Sequence, residues 1–509
     1  MQKDAVTCEE MRALELNSEY LGITPLQLME NAGKAVADEI VKRFEKTSKV
    51  IVFAGVGRNG GDGMVSARHL ADAGFKIEFH LVGKEEEITE DAVLSNWKAI
   101  KNMGSSINLR EIPDSSLIHP VDSDVIVDAL LGIGIRGKLR QPILQAVKAI
   151  NESKGFKIAI DVPTGIDADS GDLMDNAVRS NLTITFHKKK TGFEKAKECI
   201  GELKVVKIGI PPEAELYSGP GDVEFVTVKR DPNAHKGDFG RLLIIGGSET
   251  FSGAPVLVAL AALRVGVDLA YIAAPEKTAY AISSISPNLI TIKLSGNHLS
   301  RNNLGQIKAF VDKATAVVVG PGLGTHKATM DTVQELVSLL NDLEKPLLLD
   351  ADALKALDIE KFRAKSQAVL TPHQGEFEIL TGKKLSNELE SKIKEVRNLA
   401  MKINSVVLLK GRIDIISDGE KVKLNLTGNP GMTVGGTGDV LSGIVGGFLS
   451  QKFNAFRAAV AGAFVNGAAG DFAYFKRGFH ILATDLIEEV PRVLIDPMEH
   501  KKIKEVNVK

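Results

Sequence analysis

Short apolar runs alternate with segments of helical periodicity over most of the chain. Apolar side chains recur at helix-like spacing over residues 9–46, and the break at Gly22 to Pro25 divides this segment into two predicted helices. Lys49–Ala54 is short and rich in β-branched residues, which predicts a buried parallel strand. Further strands are predicted at Lys76–Val82, Asp124–Leu130, Lys157–Val162, Leu182–Phe186 and Leu203–Ile208. Their alternation with helices predicts a doubly wound α/β sheet.

The same kind of pattern restarts after a proline-rich stretch. Pro211 to Asp222 contains three prolines, which predicts an extended connector and not a packed element. Beyond it come a strand, Arg241–Ile245, a long apolar helix opened by Ser252 and a later strand, Ser405–Leu409. We therefore expect two different α/β domains, residues 1–210 and 225–509, joined by a linker at 211–224.

Composition narrows the classes of function. A chain of 509 residues is too long for one core, and its net charge of −2 argues against a dedicated nucleic-acid binder. The two cysteines, Cys8 and Cys199, lie far apart and form no zinc-binding spacing, which fits a reducing cytoplasm. No segment has the pattern of a signal peptide or a membrane span. We expect a cytoplasmic enzyme that acts on small molecules, binds neither nucleic acid nor membrane, and forms a homo-oligomer.

The glycine-rich segment Gly428–Gly447 is the most informative stretch for chemistry. Glycines crowd the part before Asp439, and an apolar helical run begins at Val440. A glycine-rich loop that opens a helix attracts phosphate through its N–H groups and the helix dipole. A carboxylate at such a place repels the ligand unless it does chemistry. Asp439 is therefore either a catalytic base or a cap of the following helix, and this loop alone does not separate the two.

Other residues of the second half suit the same chemistry. Lys410 could neutralise phosphate charge, and together with Asp439 it points to phosphoryl transfer to an alcohol; alternatively it is a solvated turn lysine. The half lacks the glycine-lysine motif of P-loop NTPases. His373 either contacts a ligand or caps a turn. Asp350 and Asp352 either hold Mg²⁺ through water or act as structural caps.

The first half places oxygen-bearing side chains at strand ends. A glycine-rich turn, Gly55–Gly63, follows the first strand and contains Asn59, while Asp128 and Thr164 follow two later strands. These oxygen ligands suit a hard cation, and Asp161 is then available to move a proton. Because ligands of such sheets bind outside the carboxyl ends of the strands, we expect these loops to converge on one site. The alternative is that all four side chains only satisfy backbone groups.

At this level of detail both halves resemble the bifunctional NAD(P)H-hydrate repair enzymes, in which an epimerase domain is fused to an ADP- or ATP-dependent dehydratase domain. The resemblance covers about residues 9–495. In the first half it rests on Asn59-Gly-Gly-Asp62, Val127-Asp-Ala129, Gly132-x-Gly-x-Arg-Gly137 and Asp161-Val-Pro-Thr-Gly165. In the second half it rests on His235-Lys-Gly237, Ser252-Gly-Ala-Pro255, Gly320-Pro-Gly-Leu-Gly324, Asp350-Ala-Asp-Ala-Leu354, Gly428-Asn-Pro-Gly-Met432 and Gly435-Gly-Thr-Gly-Asp439. It implies an N-terminal Rossmann-like domain and a C-terminal ribokinase-like domain.

For the first domain, the resemblance implies interconversion of the R and S forms of NADH and NADPH hydrated at C6 of the ring. The catalytic carboxylate maps to Asp161. The match implies a bound K⁺ held by Asn59, Asp128 and Thr164. The residues that map to substrate contacts are Asn59, Gly60, Gly61, Asp62, Gly132, Ile133, Gly134, Ile135, Arg136, Gly137, Lys138 and Asp161.

For the second domain, the resemblance implies phosphorylation of the S hydroxyl and loss of phosphate, which restores NADH or NADPH. Mg²⁺ accompanies ADP or ATP, and we favour ADP because the fused microbial form goes with it. Asp439 maps to the base that contacts the hydroxyl. The residues that map to the hydrated cofactor are Ala254, Gly322, Gly324, His373 and Asp439, and those that map to the nucleotide are Lys410, Gly411, Arg412, Ile413, Asp414 and Gly438.

The sequence departs from the common family pattern at four positions, and two other functions stay open. Arg58 replaces a frequent Asn, Ile133 a frequent Thr, Thr164 a frequent Ser, and Gln374 a frequent Pro. The main alternative is a small-molecule kinase, of the sugar or hydroxyethylthiazole type, fused to a non-catalytic ligand-binding domain. Another is that the first half is a nucleotide-sensing or scaffold module.

Overall fold

The computed structural model describes residues 4–134, 137–227 and 230–506. The chain divides into two compact units, Met1–Pro211 and Pro212–Lys509. Ile135 and Arg136, two of the residues predicted to bind substrate, lie outside the described residues.

The first unit is an α/β sheet structure. Its strands are β1 (Ala5–Val6), β2 (Lys49–Ala54), β3 (Lys76–Val82), β4 (Ile107–Ile112), β5 (Asp122–Ala129), β6 (Lys154–Ile160), β7 (Leu182–Phe186), β8 (Lys189–Lys190) and β9 (Glu202–Val206). Its helices are α1 (Cys8–Tyr20), α2 (Pro25–Arg43), α3 (Arg58–Asp72), α4 (Asp91–Lys101), α5 (Ile143–Glu152) and α6 (Lys197–Ile200). The break predicted between the first two helices is confirmed, since a threonine caps the start of each one.

In the described part of this unit, seven parallel strands form a sheet in the order β4-β3-β2-β5-β6-β7-β9. The strand order reverses next to β2, so the loops after β2 and β5 leave the sheet on either side of one crevice. Strands β2 and β5 are buried along nearly their whole length, as expected of parallel strands covered on both faces. The predicted Rossmann-like α/β class is confirmed.

The second unit is also α/β. Its strands are β10 (Arg241–Ile245), β11 (Leu269–Pro275), β12 (Ile290–Leu294), β13 (Ala316–Val319), β14 (Leu347–Leu349), β15 (Ala368–Leu370), β16 (Val406–Leu409), β17 (Asp414–Ser417) and β18 (Val422–Asn425). Its helices are α7 (Pro212–Leu216), α8 (Pro220–Glu224), α9 (Gly253–Arg264), α10 (Glu276–Ser283), α11 (Leu304–Val311), α12 (Lys327–Asp342), α13 (Asp352–Ala356), α14 (Gln374–Thr381), α15 (Leu389–Ile403), α16 (Thr437–Ser450), α17 (Ala455–Arg477), α18 (Ala483–Ile495) and α19 (His500–Val506).

Nine strands among the described residues form the second sheet, in the order β12-β11-β10-β13-β14-β15-β16-β17-β18. They are parallel from β12 to β16, and β17 and β18 form an antiparallel hairpin. The order reverses next to β10, so the loops after β10 and β13 share a crevice. The loops after β14, β15 and β16 follow along the same edge. The predicted α/β class of the second domain is confirmed.

The extended connector predicted at Pro211 to Asp222 is wrong. Pro212 and Pro220 stand at the first positions of α7 and α8, where a proline costs no hydrogen bond. The segment between these helices packs on β18, because the Ser218 N–H donates to the Leu424 carbonyl at 2.8 Å and Lys423 pairs with Asp222 at 3.0 Å. Residues 212–224 are therefore a packed part of the second unit.

The lysine-rich segment from Lys501 onwards is not a solvated tail over its described part. Residues 500–506 form α19, and His500 and Ile503 are buried. The segment forms an amphipathic helix, which its sequence does not indicate clearly because of its high lysine content.

Candidate functional sites

Asp161 directly follows β6 and has an unusual backbone. Its φ of 61° is rare for a residue with a side chain and costs energy that the surrounding structure must supply. Its Oδ1 accepts hydrogen bonds from the Thr185 hydroxyl at 3.0 Å and the Phe186 N–H at 3.1 Å. Among the described residues none donates to Oδ2, which leaves that oxygen available to a substrate.

Lys190, which the sequence reasoning missed, is the charged partner of Asp161. Its side chain is fully buried and its ammonium lies 2.7 Å from Asp161 Oδ1. The ammonium also donates to Thr185 Oγ1 and to the Phe186 carbonyl. A buried lysine needs such partners to stay charged. The only signal in the sequence was a run of three lysines directly after a predicted strand.

Three carboxylates and Arg58 gather near this ion pair. Burial raises the pKa of Asp62 well above its usual value, and the nearby charges of Asp161 and Glu15 raise it further. Burial and Asp161 also raise the pKa of Glu15, although Arg58 opposes this. The Arg58 guanidinium bridges Glu15 at 3.0 Å and Glu90 at 2.6 Å. The arginine that replaces the common asparagine is thus engaged with glutamates.

Asp128 and Thr164 form a cluster of oxygen atoms at the ends of β5 and β6. The Thr164 hydroxyl donates to Asp128 Oδ1 at 2.7 Å and lies 3.2 Å from the Leu131 carbonyl oxygen. Burial raises the pKa of Asp128 to about 6, although three hydrogen bonds oppose the shift. Both side chains are almost completely buried.

Asn59 borders the same loop, and its side chain is buried there. Its buried Nδ2 has no hydrogen-bond partner among the residues described by the structure, and its side chain lies against Gly132. If the amide is rotated by 180°, its oxygen takes the place of this nitrogen. One carboxylate together with amide, hydroxyl and carbonyl oxygens is a suitable ligand set for a hard monovalent cation.

The turn predicted at Gly55–Gly63 is wrong in its second part, because α3 already begins at Arg58. Gly60, Gly61 and Gly63 lie in the helix, and none of them has a positive φ. A Cβ on Gly60 would overlap the Gly55 carbonyl oxygen, and one on Gly63 would lie 2.6 Å from the Ala129 Cβ. The glycines therefore allow α3 to approach β2 and β5 closely.

The loop after β5 carries the remaining substrate-binding predictions. Gly132 and Ile133 are partly exposed, whereas Gly134, Gly137 and Lys138 are exposed. The side chain of Arg12 fills the space beside Gly134. Thus α1 borders this loop, a neighbour that no motif in the sequence indicated.

In the second unit, Asp439 lies in the first turn of α16 but does not cap it. The helix begins at Thr437, the preceding residue Gly436 is left-handed with φ 97°, and no side chain caps the N–H groups. The capping alternative for Asp439 is therefore wrong. The uncapped N–H groups of this turn remain available to an anion.

Lys410 reaches this turn from the end of β16. A Cβ at position 438 would lie 3.6 Å from the Lys410 ammonium. The ammonium is 2.8 Å from Asp350 Oδ1 and 3.8 Å from Glu376. Only 20% of the Lys410 side chain is exposed, so the alternative of a solvated turn lysine is wrong.

The charges around Asp439 give it the properties of a base. Burial raises the pKa of Asp439 to about 7, the negative charge of Asp350 adds to the shift, and Lys410 opposes it. Such a pKa is close to that of an efficient general base at neutral pH. Asp350 behaves in the opposite way, because Lys410 and hydrogen bonds lower its pKa despite its burial.

The loops after β10 and β13 meet where hydrated-cofactor contacts were predicted. Gly322 has φ 68° and lies against Ala254 and Phe251. The N–H of Gly324 donates to Asp352 Oδ2 at 2.8 Å. Phe251 is 54% exposed beside these residues and was not identified from the sequence.

His373 caps α14, as one of the two alternatives proposed. Its Nδ1 accepts from the Glu376 N–H at 3.2 Å, and its own N–H donates to Glu376 Oε2. The side chain is 58% exposed. Pro372 next to it accepts a hydrogen bond from the Lys410 N–H, so His373 and Lys410 lie on adjacent loops.

The turn from Lys410 to Asp414 is closed by its last residue. Asp414 accepts from the Gly411 N–H and from Asn425, each at 3.0 Å. Burial raises the pKa of Asp414 to about 6, and these hydrogen bonds oppose the shift. Gly411 and Arg412 are exposed and Ile413 is partly exposed, so the outer side of the turn can contact a ligand.

Both units match family models. The model described as "YjeF-related protein N-terminus" matches residues 25–192. The model described as "NAD(P)H-hydrate dehydratase" matches residues 242–492.

Whole-length relatives give the same result. The chain is similar to a bifunctional NAD(P)H-hydrate repair enzyme from Pyrobaculum aerophilum, with 46% identity over 96% of this chain and 98% of the relative. It is similar to another from Methanothermobacter thermautotrophicus, with 42% identity over 96% and 95% of the two chains. A solved structure of an ADP/ATP-dependent NAD(P)H-hydrate dehydratase from Bacillus subtilis, co-crystallised with ATP/Mg²⁺, aligns with TM-score 0.47 and 26% identity, covering 56% of this chain and 98% of that one.

Two searches of the described residues were negative. No group of three or more His, Cys, Asp or Glu residues is arranged to hold a metal ion. This does not concern the cluster at Asp128 and Thr164, whose other donors are hydroxyl, amide and carbonyl groups. No helix in the described ranges is long and apolar enough to cross a membrane.

Proposed function

The chain belongs to the bifunctional NAD(P)H-hydrate repair enzymes, and from this premise we propose how its two units divide the work. The first unit interconverts the R and S forms of hydrated NADH and NADPH. The second dehydrates the S form at the expense of ADP or ATP. The observation that carries the proposal is the meeting of the Lys410 ammonium and the Asp439 carboxylate at the uncapped first turn of α16.

The dehydration starts with transfer of a phosphoryl group. Asp439 accepts the proton of the C6 hydroxyl while the hydroxyl oxygen attacks the terminal phosphorus of the nucleotide. Lys410 and the N–H groups around Gly438 stabilise the charge on the transferred group. The C6–O bond then breaks, phosphate leaves, and loss of a ring proton from C5 restores the double bond of NADH or NADPH. Nucleotide hydrolysis thus drives the removal of one water molecule.

The remaining residues predicted for this site fall into two groups, one for the nucleotide and one for the hydrated cofactor. Gly411, Arg412, Ile413 and Asp414 contact the nucleotide on the outer side of the turn after β16. Ala254, Gly322, Gly324 and His373 contact the hydrated cofactor, and the exposed ring of Phe251 offers it a stacking surface. Mg²⁺ bound with the nucleotide would neutralise part of the phosphate charge, in addition to Lys410.

The epimerase site uses Asp161 as its proton-transfer group. Lys190, Thr185 and the Phe186 N–H fix Oδ1, which leaves Oδ2 to receive and return a proton of the substrate. The substrate contacts would come from Asn59–Asp62 and from the loop at Gly132–Lys138.

K⁺ fits the oxygen cluster of this unit. Asp128, Thr164 and Asn59 would hold it, and a bound cation would provide positive charge for the oxygen atoms of the substrate. The buried amide of Asn59 without a partner and the single carboxylate of the cluster support this proposal. A homo-oligomeric state and a cytoplasmic location stay predictions.

The fate of phosphate separates this function from that of a small-molecule kinase. With S hydrate, Mg²⁺ and nucleotide, we expect one inorganic phosphate released for each dihydronicotinamide formed, and no phosphorylated product at the end of the reaction. The measurement is mass spectrometry of the products together with a phosphate assay. A stable phosphorylated product without regained dihydronicotinamide absorbance would instead support the kinase.

A further inference from the structure

Asp350 is a buried carboxylate that substrates do not need to contact. It follows β14 and is 2% exposed. Its Oδ1 lies 2.8 Å from the Lys410 ammonium, and its Oδ2 accepts a hydrogen bond from the Ser442 hydroxyl on α16 at 2.7 Å. Both oxygens are therefore engaged within the protein. A buried carboxylate that loses a bonding partner costs free energy. The two bonds therefore fix the orientation of the Asp350 carboxylate.

Asp350 determines where the lysine charge lies. The backbone of Lys410 is fixed, because its N–H donates to the Pro372 carbonyl at 2.8 Å. Its side chain has four flexible bonds, and Glu376 lies only 3.8 Å from the ammonium. The closer bond to Asp350 draws the ammonium towards α16 and Gly438. Without this bond, Glu376 and solvent become its remaining partners.

The backbone next to Asp350 is strained. Ala351 has φ 51° and ψ −121°, an unfavourable conformation for a residue with a Cβ. The turn directs Asp350 inwards to Lys410, whereas Asp352 accepts from the Gly324 N–H in the loop after β13. On the other side, a Cβ on Gly320 would overlap the Asp350 carbonyl oxygen. The close packing of this turn compensates for the strained backbone of Ala351 and holds Asp350 in place.

We propose that Asp350 is a positioning residue for dehydration, which acts by holding the Lys410 ammonium at the first turn of α16. There the ammonium contacts the transferred phosphoryl group, and its charge acts on Asp439. This inference rests on the proposed function of the second unit. Asp350 itself contacts neither nucleotide nor hydrated cofactor.

The positioning role has a second effect, on the ionisation of Asp439. The charged or titratable groups that face this cluster are Asp350 after β14, Lys410 and Asp414 in the turn after β16, and His373 and Glu376 at the start of α14. Asp350 raises the pKa of Asp439 and Lys410 lowers it. Loss of Asp350 removes the first of these effects and, by releasing Lys410, weakens the second. The two changes act in opposite directions on the acidic limb of the pH profile, so the rates of the variants carry the test.

The test is a double-mutant cycle on dehydration of the S hydrate with saturating nucleotide. Asp350→Asn should lower kcat by about tenfold or more, as expected for loss of a contact to a charged group. Lys410→Met should lower it further. If Asp350 acts through Lys410, the double variant is no slower than Lys410→Met alone. The double variant should also melt at a higher temperature than Lys410→Met, because it no longer buries an unpaired carboxylate.

Asp352→Asn is the matched control, since it removes a neighbouring carboxylate that bonds Gly324 and not Lys410. Its effect on kcat should multiply with that of Lys410→Met, because Asp352 does not act through the lysine. If the effects of Asp350→Asn and Lys410→Met also multiply fully in their double variant, the inference is overturned. If Asp350→Asn fails to fold, the comparison of Lys410→Met with the double variant still tests whether Asp350 acts through Lys410. Absence of dehydration by the wild-type protein would instead refute the proposed function.

Discussion

The carboxylate of Asp439 lies half-buried in the first turn of α16, where both the negative charge of Asp350 and the positive charge of Lys410 act on it. Burial and Asp350 raise its pKa to about 7, so near neutral pH a large fraction of the group is protonated. Only the ionised form can accept a proton from a hydroxyl group. The pH dependence of the reaction should therefore report this group.

We expect kcat/KM for dehydration to fall about tenfold per pH unit below about pH 7. Asp439→Asn should lower kcat by about 10²- to 10⁴-fold, the usual contribution of a general base, while nucleotide affinity stays nearly unchanged. The measurements are initial rates from pH 5 to 9 and nucleotide binding by calorimetry.

Asp342→Asn is a suitable control for this experiment, because Asp342 is an exposed carboxylate at the end of α12 that pairs with Lys365. It should leave both the rate and its pH profile unchanged. An acidic limb below about pH 5 in the wild-type protein would contradict the assignment, since an ordinary aspartate would explain it.

Single residues also show the limits of prediction from the sequence. The loop around Asp439 could be identified because glycines, a carboxylate and an apolar run follow one another. The choice between base and cap could not, since it depends on which residue begins the helix. Lys190 was missed because its partner, Asp161, lies 29 residues away in the sequence and meets it only through the order of β6, β7 and β8.

At the scale of elements, α3 shows why its glycines are needed. They lie in a regular helix and provide room for the Gly55 carbonyl, Met29 and Ala129. The sequence pattern of strand, glycines and helix identified the phosphate-type loop of an α/β fold correctly. It placed the start of the helix too late, because glycine is normally a turn residue and the close contacts that favour it here come from distant elements.

A pair of substitutions tests this packing. Gly60→Ala places a methyl group onto the Gly55 carbonyl oxygen, which is backbone and cannot move aside. We expect overpacking to lower the melting temperature of the first unit by about 3–10 °C. Gly57→Ala is the control, since a Cβ there meets no atom within 4 Å. Equal melting temperatures of the two variants, measured by calorimetry, would contradict the close approach.

The predicted connector is a second case in which a helical segment was not recognised. Prolines predicted an extended chain at 211–224, but proline is compatible with the first turn of a helix, and Pro212 and Pro220 both stand there. Local composition could not reveal that β18 offers Leu424 and Asn425 as hydrogen-bond partners to this segment. The strands were predicted more accurately, and Lys49–Ala54, Lys76–Val82, Leu182–Phe186 and Arg241–Ile245 have the predicted bounds.

In the whole molecule, each unit carries out one of the two reactions. Each unit has its own sheet and its own charged cluster, around Asp161 in one and Asp439 in the other. Loss of one cluster should therefore leave the reaction of the other unit intact.

Mixing two inactive variants tests this independence. Asp161→Asn should dehydrate S hydrate but not convert R hydrate, and Asp439→Asn should do the reverse. With R hydrate as the only substrate, Asp161→Asn alone should give only the slow recovery due to spontaneous epimerisation, and Asp439→Asn alone should give almost none, because it cannot dehydrate the S hydrate. An equimolar mixture should recover dihydronicotinamide well above that background. A mixture no faster than Asp161→Asn alone would show that repair needs both clusters in one chain.

The repair of both hydrates is tested most directly with the unmodified protein and each hydrate separately. The protein is incubated with purified S or R hydrate of NADH, K⁺, Mg²⁺ and either ADP or ATP, and the absorbance of the dihydronicotinamide is followed. We predict recovery from S hydrate that depends on the nucleotide, and recovery from R hydrate faster than spontaneous epimerisation allows. No recovery from S hydrate with either nucleotide would contradict the dehydratase assignment, and recovery from R hydrate only at the spontaneous rate would contradict the epimerase assignment.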